Sequence, residues 1–96
     1  MSRSLVWKEG LTMDDLDYQD VAEYSIDLSD FLGDSDIASA SSVGTDITID
    51  STTYSGQTIV ITVSAGQIKT TAKVRFTVTT LTETHNRSFY IPIKSL

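Results

Sequence analysis

Lys69-Thr-Thr-Ala-Lys-Val-Arg-Phe-Thr-Val-Thr-Thr-Leu81 decides the fold. Ala72, Val74, Phe76 and Val78 recur at every second position, with Lys73, Arg75, Thr77 and Thr79 between them. A period of two is that of an extended chain, whose successive side chains point to opposite faces, so the pattern is a strand with one dry and one wet side. Arg87-Ser-Phe-Tyr-Ile-Pro-Ile-Lys94 repeats it, with Phe89, Ile91 and Ile93 opposite Ser88, Tyr90 and Lys94. Gln57–Ser64 has it again: Ile59, Ile61 and Val63 share one face, and Thr58, Val60 and Thr62 the other. The β-branched residues that dominate all three stretches suit a pleated, half-buried surface. Thr82-Glu-Thr-His-Asn86 reads as a five-residue hairpin loop joining the first two stretches, and Ser64-Ala-Gly-Gln67 closes a second connection. Pro92 removes one ladder donor, which requires an edge position or an amide that points outward.

Toward the N-terminus the pattern shortens. Glu23–Leu28 alternates, with Tyr24, Ile26 and Leu28 inward and Glu23, Ser25 and Asp27 outward. Leu5–Lys8 reads as a short first strand anchored by Trp7. Thr12-Met-Asp-Asp15 offers an N-cap Thr with an acid three residues on, so a helical turn is expected over 13–17. Ser29–Gly33 reads as a short turn carrying Phe31 and Leu32 under the sheet. Ile37–Val43 is expected as a strand of small residues, Asp46–Asp50 as a short strand with Ile47 and Ile49 inward, and Ser51–Gly56 as a turn. Six or seven short strands at a spacing of roughly 8–12 residues, with no helix of useful length, predict a single all-β domain, an antiparallel sandwich.

Length and composition narrow the function. A chain of 96 residues and 10.5 kDa is one folding unit with a thin core. With no cysteine and one histidine, His85, neither disulfide staples nor a thiolate or His-based metal cluster is available. No apolar run approaches the ~20 residues that cross a bilayer, and Met1-Ser-Arg-Ser-Leu-Val-Trp-Lys-Glu lacks the apolar core of a secretion signal. The expectation is a small soluble domain made in a reducing compartment, with no membrane partner.

Net charge is −6, which argues against nucleic-acid binding, since phosphate contacts need clustered Lys and Arg. The charge is unevenly spread. Residues 1–50 carry twelve acids against two bases, a net −10, and residues 51–96 carry Lys69, Lys73, Arg75, Arg87 and Lys94 against Glu83, a net +4. Two readings stand: acids gathered in turns, where Asp supports the backbone locally, or a dipolar module that stacks acidic end to basic face on its neighbours.

No catalytic constellation appears. Only His85 offers a base for nucleophilic catalysis, and its expected place is a solvated loop between Thr84 and Asn86. The many Asp residues show no pairing into a cleft, and no phosphate loop, dinucleotide fingerprint or H-E-x-x-H occurs. Asp14-Asp-Leu-Asp17 and Asp34-Ser-Asp36 are the candidates for a hard cation. Neither continues as an EF-hand loop, because Ala38 follows at the next alternate position after Asp36 and Thr45 stands at the twelfth. Acid-rich turns are expected, with a calcium site between loops as the alternative. Asn86-Arg-Ser88 matches a glycosylation sequon but has no secretion signal to give it meaning. No cofactor, metal or catalytic residue is assigned, and no enzyme activity is expected. Phe76, Phe89 and Tyr24 belong to the expected core, whereas Trp7, Tyr18, Tyr54 and Tyr90 fall on edges, loops or outward faces, where amphipathic aromatics are enriched in contacts.

Trp7-Lys8-Glu9, Leu16-Asp17-Tyr18, Tyr24-Ser-Ile-Asp-Leu-Ser29 and Leu32-Gly-Asp-Ser-Asp-Ile-Ala-Ser39, followed by Val63-Ser-Ala-Gly66, Ala72–Thr80 and Arg87–Lys94, resemble a family of roughly hundred-residue accessory virion proteins of tailed bacteriophages. The resemblance spans about residues 7–94 and rests on short structural motifs. It departs from the family at Leu28, where a Trp is usual after Ile-Asp, and at Glu9-Gly10, where Asp-Pro is usual. It implies an immunoglobulin-like sandwich serving as an adaptor between fibres and the tail or portal, or as a decoration cementing the head lattice. Implied partners are other virion proteins (tail, portal, fibre or major capsid protein), in multiple copies of a symmetric assembly put together in the host cytoplasm.

Presenting surface is the function left to a thin domain without motif or cleft. Trp7, Tyr18, Tyr54, Lys69, Lys73, Arg75 and Tyr90 are the candidate interface residues. Residues 1–20 are expected as an arm, with a short strand and a turn, that docks on a partner, and residues 21–96 as the sandwich. In a ring of copies the acidic N-terminal segment would lie against Lys69, Lys73 and Arg75 of the next copy. A reading of another class is a host-receptor or carbohydrate-binding module that stacks sugars on Trp7, Tyr18 or Tyr54.

Overall fold

The computed structural model describes residues 2–8, 10–13, 16–17, 21–65 and 71–94, and in it the alternating stretches form the centre of a two-layer β-sandwich. In chain order the elements are β1 (Ser2–Val6), β2 (Leu16–Asp17), β3 (Val21–Asp27), the single helical turn α1 (Ser29–Leu32), β4 (Ser39–Thr45), β5 (Ile47–Ser55), β6 (Thr58–Ala65), β7 (Thr71–Thr79) and β8 (Thr84–Lys94). Sheet I has the order β1-β3-β6-β5, and sheet II the order β2-β8-β7-β4. The four strands with the cleanest alternation, β3, β6, β7 and β8, are the interior strands of the two sheets.

Their inward residues meet between the layers. Tyr24, Ile26 and Leu28 with Ile59, Ile61 and Val63 from sheet I, and Ala72, Val74, Phe76 and Val78 with Phe89 and Ile91 from sheet II, are all fully buried. Each large apolar side chain so buried contributes about 1.5–3 kcal/mol. The Phe89 ring ties the layers, with its centroid 5.8 Å from Tyr24 in the opposite sheet and 6.2 Å from Phe76 on the neighbouring strand. Tilted ring pairs at this separation add about 0.5–1.5 kcal/mol beyond the area they bury.

The remaining elements depart from the sequence pattern in instructive ways. The described residues of the expected helical turn over 13–17 are not helical: Thr12 bridges Tyr90, the Met13 amide donates to the Tyr90 carbonyl at 2.7 Å, and Leu16–Asp17 pair in parallel with Ile93–Lys94. One isolated helical turn is marginal, whereas pairing along β8 satisfies the same backbone groups and buries Met13. β1 also joins in parallel, Ser2–Val6 beside Glu23–Asp27, so the sheets are antiparallel except where the N-terminal segment enters each of them. That segment contributes Trp7, Leu11 and Met13 to the core.

Ser51–Gly56 is not a turn: β5 runs on to Ser55, with a bulge between Ile49 and Ser51 absorbing Asp50. The reversal comes at Gly56, whose φ of 60° is one that glycine adopts without steric cost. The small-residue strand lies at 39–45 rather than 37–43, and Ile37 is buried ahead of it, its amide donating to the Gly56 carbonyl at 2.9 Å. The β7–β8 loop is tighter than expected. Thr79 already pairs with Thr84, and buried Thr80 accepts the amides of Thr82 and Glu83 on its hydroxyl at 3.3 and 3.1 Å. His85 therefore lies in β8 opposite Val78, with 17% of its side chain exposed, and not in a solvated tip.

Pro92 sits in an interior strand. Tyr90, two residues before it, sends both its amide and its carbonyl to the 11–13 segment. Alternation turns the Pro92 nitrogen to that same side, away from β7, so the β7 ladder loses no donor.

Candidate protein-interaction surfaces

With the core between the sheets, function falls to the two outer faces and the ends. On sheet II the outward residues of three strands line up through the ladder. Thr45 stands opposite Lys73 and Lys73 opposite Tyr90; in the next row Val43 faces Arg75 and Arg75 faces Ser88; in a third, Ser41 faces Thr77 and Thr77 faces Asn86. Thr77 donates its hydroxyl to the Asn86 side-chain oxygen at 2.6 Å, fixing the third row. A shallow groove runs between β4 and β7, lined by Ser41, Val43, Thr45, Lys73, Arg75 and Thr77. Val43 is 67% exposed and Tyr90 38%, so the face combines two cations with apolar area. This mix of Arg, Tyr and aliphatic groups is the composition that protein contacts favour.

The outer face of sheet I is different. Glu23 and Asp27 on β3 and Asp50 on β5 surround the small and β-branched outward residues of β6. Asp50 accepts a hydrogen bond from the Ser64 hydroxyl across the ladder, and Asp27 accepts the Ser29 amide at 2.9 Å. Of the twelve acids in residues 1–50, Glu23, Asp27 and Asp50 lie on the strands of sheet I, whereas Asp30 lies in α1 and Asp34, Asp36 and Asp46 in the connections between elements.

Of the expected interface residues, Lys73, Arg75 and Tyr90 come together on the sheet II face. Tyr54 lies apart, on the β5 edge, and its hydroxyl donates to the Ala38 carbonyl at 2.5 Å. Trp7 lies in the segment just after β1, its side chain in the core at 8% exposure, with the Arg87 guanidinium 5.6 Å from its ring centroid. The inter-sheet space at the β1 edge needs a large side chain, and Trp7 supplies it, so it offers no open ring to stack a sugar on. Tyr18 and Lys69 lie outside the described residues. Val43, the most exposed member of the face, was not singled out in the sequence because β4 has no apolar alternation to say which of its sides is outward.

Asp34 and Asp36 flank a second depression with Ile37, Ala38, Leu81 and Thr82. Among the described residues no three His, Cys, Asp or Glu side chains converge as a metal-ligand set. Asp14 and Asp15 lie outside the described residues. Among those residues, too, no helix is long and apolar enough to cross a membrane.

Comparison with known proteins completes the picture. The crystal structure of the cysteine protease inhibitor EhICP2 from Entamoeba histolytica superposes with a TM-score of 0.53 at 13% identity, covering 97% of this chain and 95% of that one. This is a likeness of fold alone. The solution structure of amebosin gives a TM-score of 0.46 at 10% identity, over 94% of this chain and 97% of that one. No curated protein sequence matches the chain. A family model, that of the podophage GP4 fiber-tail adaptor protein gp77, matches residues 17–92, from β2 through nearly the whole of β8. The chain belongs to this family of phage fibre-tail adaptors.

Proposed function

We propose that the chain attaches fibres or other appendages to the tail and portal region of a tailed bacteriophage, through contacts made by its outer faces and strand edges. The observation that carries this reading is the family match across the sandwich, residues 17–92. The family supports a structural adaptor role in the virion, exercised by binding other virion proteins. The geometry suits such a role: large side chains fill the space between the sheets, and exposed Val43, Lys73, Arg75 and Tyr90 form a surface of the composition found in contacts.

Residues 1–20 are proposed as a second docking element. β1 is an edge strand of sheet I, with Ser4 and Val6 exposed, and an unpaired edge is a template for a partner's strand. Electron cryomicroscopy of the assembled particle tests the reading. Copies that follow the symmetry of the tail, between portal and fibres, are the expected result. Copies tiling the head lattice would overturn it in favour of a cement role.

A further inference from the structure

Strands β4, β7 and β8 hold no Asp or Glu; of their bases, Lys73 and Arg75 are exposed on the outer face, whereas Arg87 stands at a core-facing position opposite Phe76. Strands β3, β5 and β6 hold no Lys or Arg, and their acids are Glu23, Asp27 and Asp50. The β1 strand adds Arg3 at the margin of sheet I, and Asp17 in β2 pairs beside Lys94 at the margin of sheet II. The central strands of the two outer faces are therefore of opposite sign. Each face also carries apolar area, Val43 and Tyr90 on sheet II, Val6 and Val21 on sheet I.

We infer that the outer face of sheet II docks on the outer face of sheet I of a second copy of this chain. The occupant is argued from complementarity: the molecule itself carries the acidic, partly apolar face that Lys73 and Arg75 require, on its opposite side. The dimensions fit. The Cα envelope measures 43 × 22 × 20 Å, so a sheet face is of the order of the ~800 Å² per partner that a standard interface buries. Because the two surfaces lie on opposite sides of one sandwich, the contact is heterologous. Each copy leaves one face open for the next, and the array closes into a ring or continues as a file. This deepens the adaptor reading and rests on it, since an appendage on a symmetric tail requires several copies side by side.

The test is a charge exchange in the full-length chain, read by sedimentation velocity. Lys73→Glu/Arg75→Glu makes both faces acidic, and Glu23→Lys/Asp50→Lys makes both basic. All four side chains point outward, and circular dichroism with a thermal melt verifies that each variant folds. The wild type is expected to associate in a concentration-dependent way in dilute salt. That association should be lost near ~1 M salt, where the screening length falls to about 3 Å. Each variant alone should associate about tenfold or more weakly. An equimolar mixture of the two variants should recover association, because every face then meets its opposite. A wild type that stays monomeric at ~100 μM in dilute salt, variants that associate as the wild type does, or a mixture that stays monomeric would each overturn the pairing. Position in the particle is read separately, so a failed exchange with copies on the tail leaves the adaptor role standing.

Discussion

The Arg87 guanidinium lies over the ring of Trp7, 5.6 Å from its centroid, joining the segment that follows β1 to the last strand of the opposite sheet. Arg87 stands opposite Phe76 in the β7–β8 ladder, at a core-facing position where the sandwich opens, and Trp7 closes the space beneath it. A cation over an indole contributes about 0.5–1 kcal/mol where water still has access, whereas the buried indole itself is worth more. Trp7→Ala should cost about 3–5 kcal/mol and Arg87→Ala about 1 kcal/mol in urea unfolding. Trp7 is the only tryptophan in the sequence, so its fluorescence reports directly. The Arg87→Ala variant should shift emission to longer wavelength as water reaches the ring. A Trp7→Ala variant as stable as the wild type would mean that the N-terminal segment lies outside the cooperative core.

Gly44 is held by a different constraint. The chain leaves sheet II at Thr45 and enters sheet I at Ile47, with Asp46 alone between them, at a φ of 62°. A Cβ on Gly44 would lie 2.5 Å from the Ile47 carbonyl oxygen and 2.8 Å from its Cγ2. Backbone cannot yield there without parting the two sheets. Gly44→Ala should therefore destabilise by about 1–3 kcal/mol, measured by chemical denaturation. Asp46→Gly should fall within about 1 kcal/mol of wild type, because glycine tolerates the left-handed conformation, and Asp46→Val should cost about 1–2 kcal/mol more. Equal stabilities for all three would remove the corner as a constraint.

The contrast between this corner and the sheet centres explains how far the sequence could be read. β3, β6, β7 and β8 each pack one whole side against the opposite layer, so every second residue must be apolar and the period shows. β4 and β5 meet one another at the flank of the sandwich. There the inward positions of β4 are Ala40, Ser42 and Gly44, and the hydroxyls of Ser42 and Thr52 bond at 2.5 Å in place of apolar packing. Beyond Ile47 and Ile49 no hydrophobic period survives in these strands, and the Ser-Thr-Thr-Tyr run of β5 reads as a turn for that reason. β2 is hidden by its length: two residues carry no period, and the Thr-x-x-Asp signal before them is overridden by pairing with β8. The candidate surface was legible where it used interior strands, as at Lys73, Arg75 and Tyr90. It is not legible at Val43, and the burial of Trp7 depends on a parallel contact between β1 and β3 that no local pattern announces.

The flank hydroxyls make a prediction of their own. Tyr54 reaches from β5 to the carbonyl of Ala38 just ahead of β4, so its bond spans the two sheets at their shared edge. A net hydrogen bond of this kind contributes about 0.5–1.5 kcal/mol. Tyr54→Phe should lower stability by that amount, and Ser42→Ala by a similar amount, and each loss should add to that of a change on the distant β1 side. Amide exchange at Ala40 and Ser42 should rise in both variants more than exchange in β3. Unchanged exchange along β4 would show that the edge is held by packing around Ile47 and not by these hydroxyls.

Thr80 and its neighbour Leu81 separate stability from display in the β7–β8 loop. Thr80 is 4% exposed, and besides receiving two amides on its hydroxyl it donates its own amide to the Glu83 carbonyl at 2.8 Å. Leu81, one residue on, is 95% exposed and contributes nothing to the core. Thr80→Val keeps the shape but withdraws the acceptor, leaving the Thr82 and Glu83 amides without their protein partner at a cost of about 1–3 kcal/mol. Thr80→Ser restores the oxygen and should recover most of that loss. Leu81→Ser should lie within about 0.5 kcal/mol of wild type. Denaturant unfolding of the three variants, with amide exchange followed at Thr82 and Glu83, makes the comparison. A valine variant as stable as the wild type, with the loss appearing in the serine variant instead, would show that the methyl group, and not the hydroxyl, is what the loop is built around.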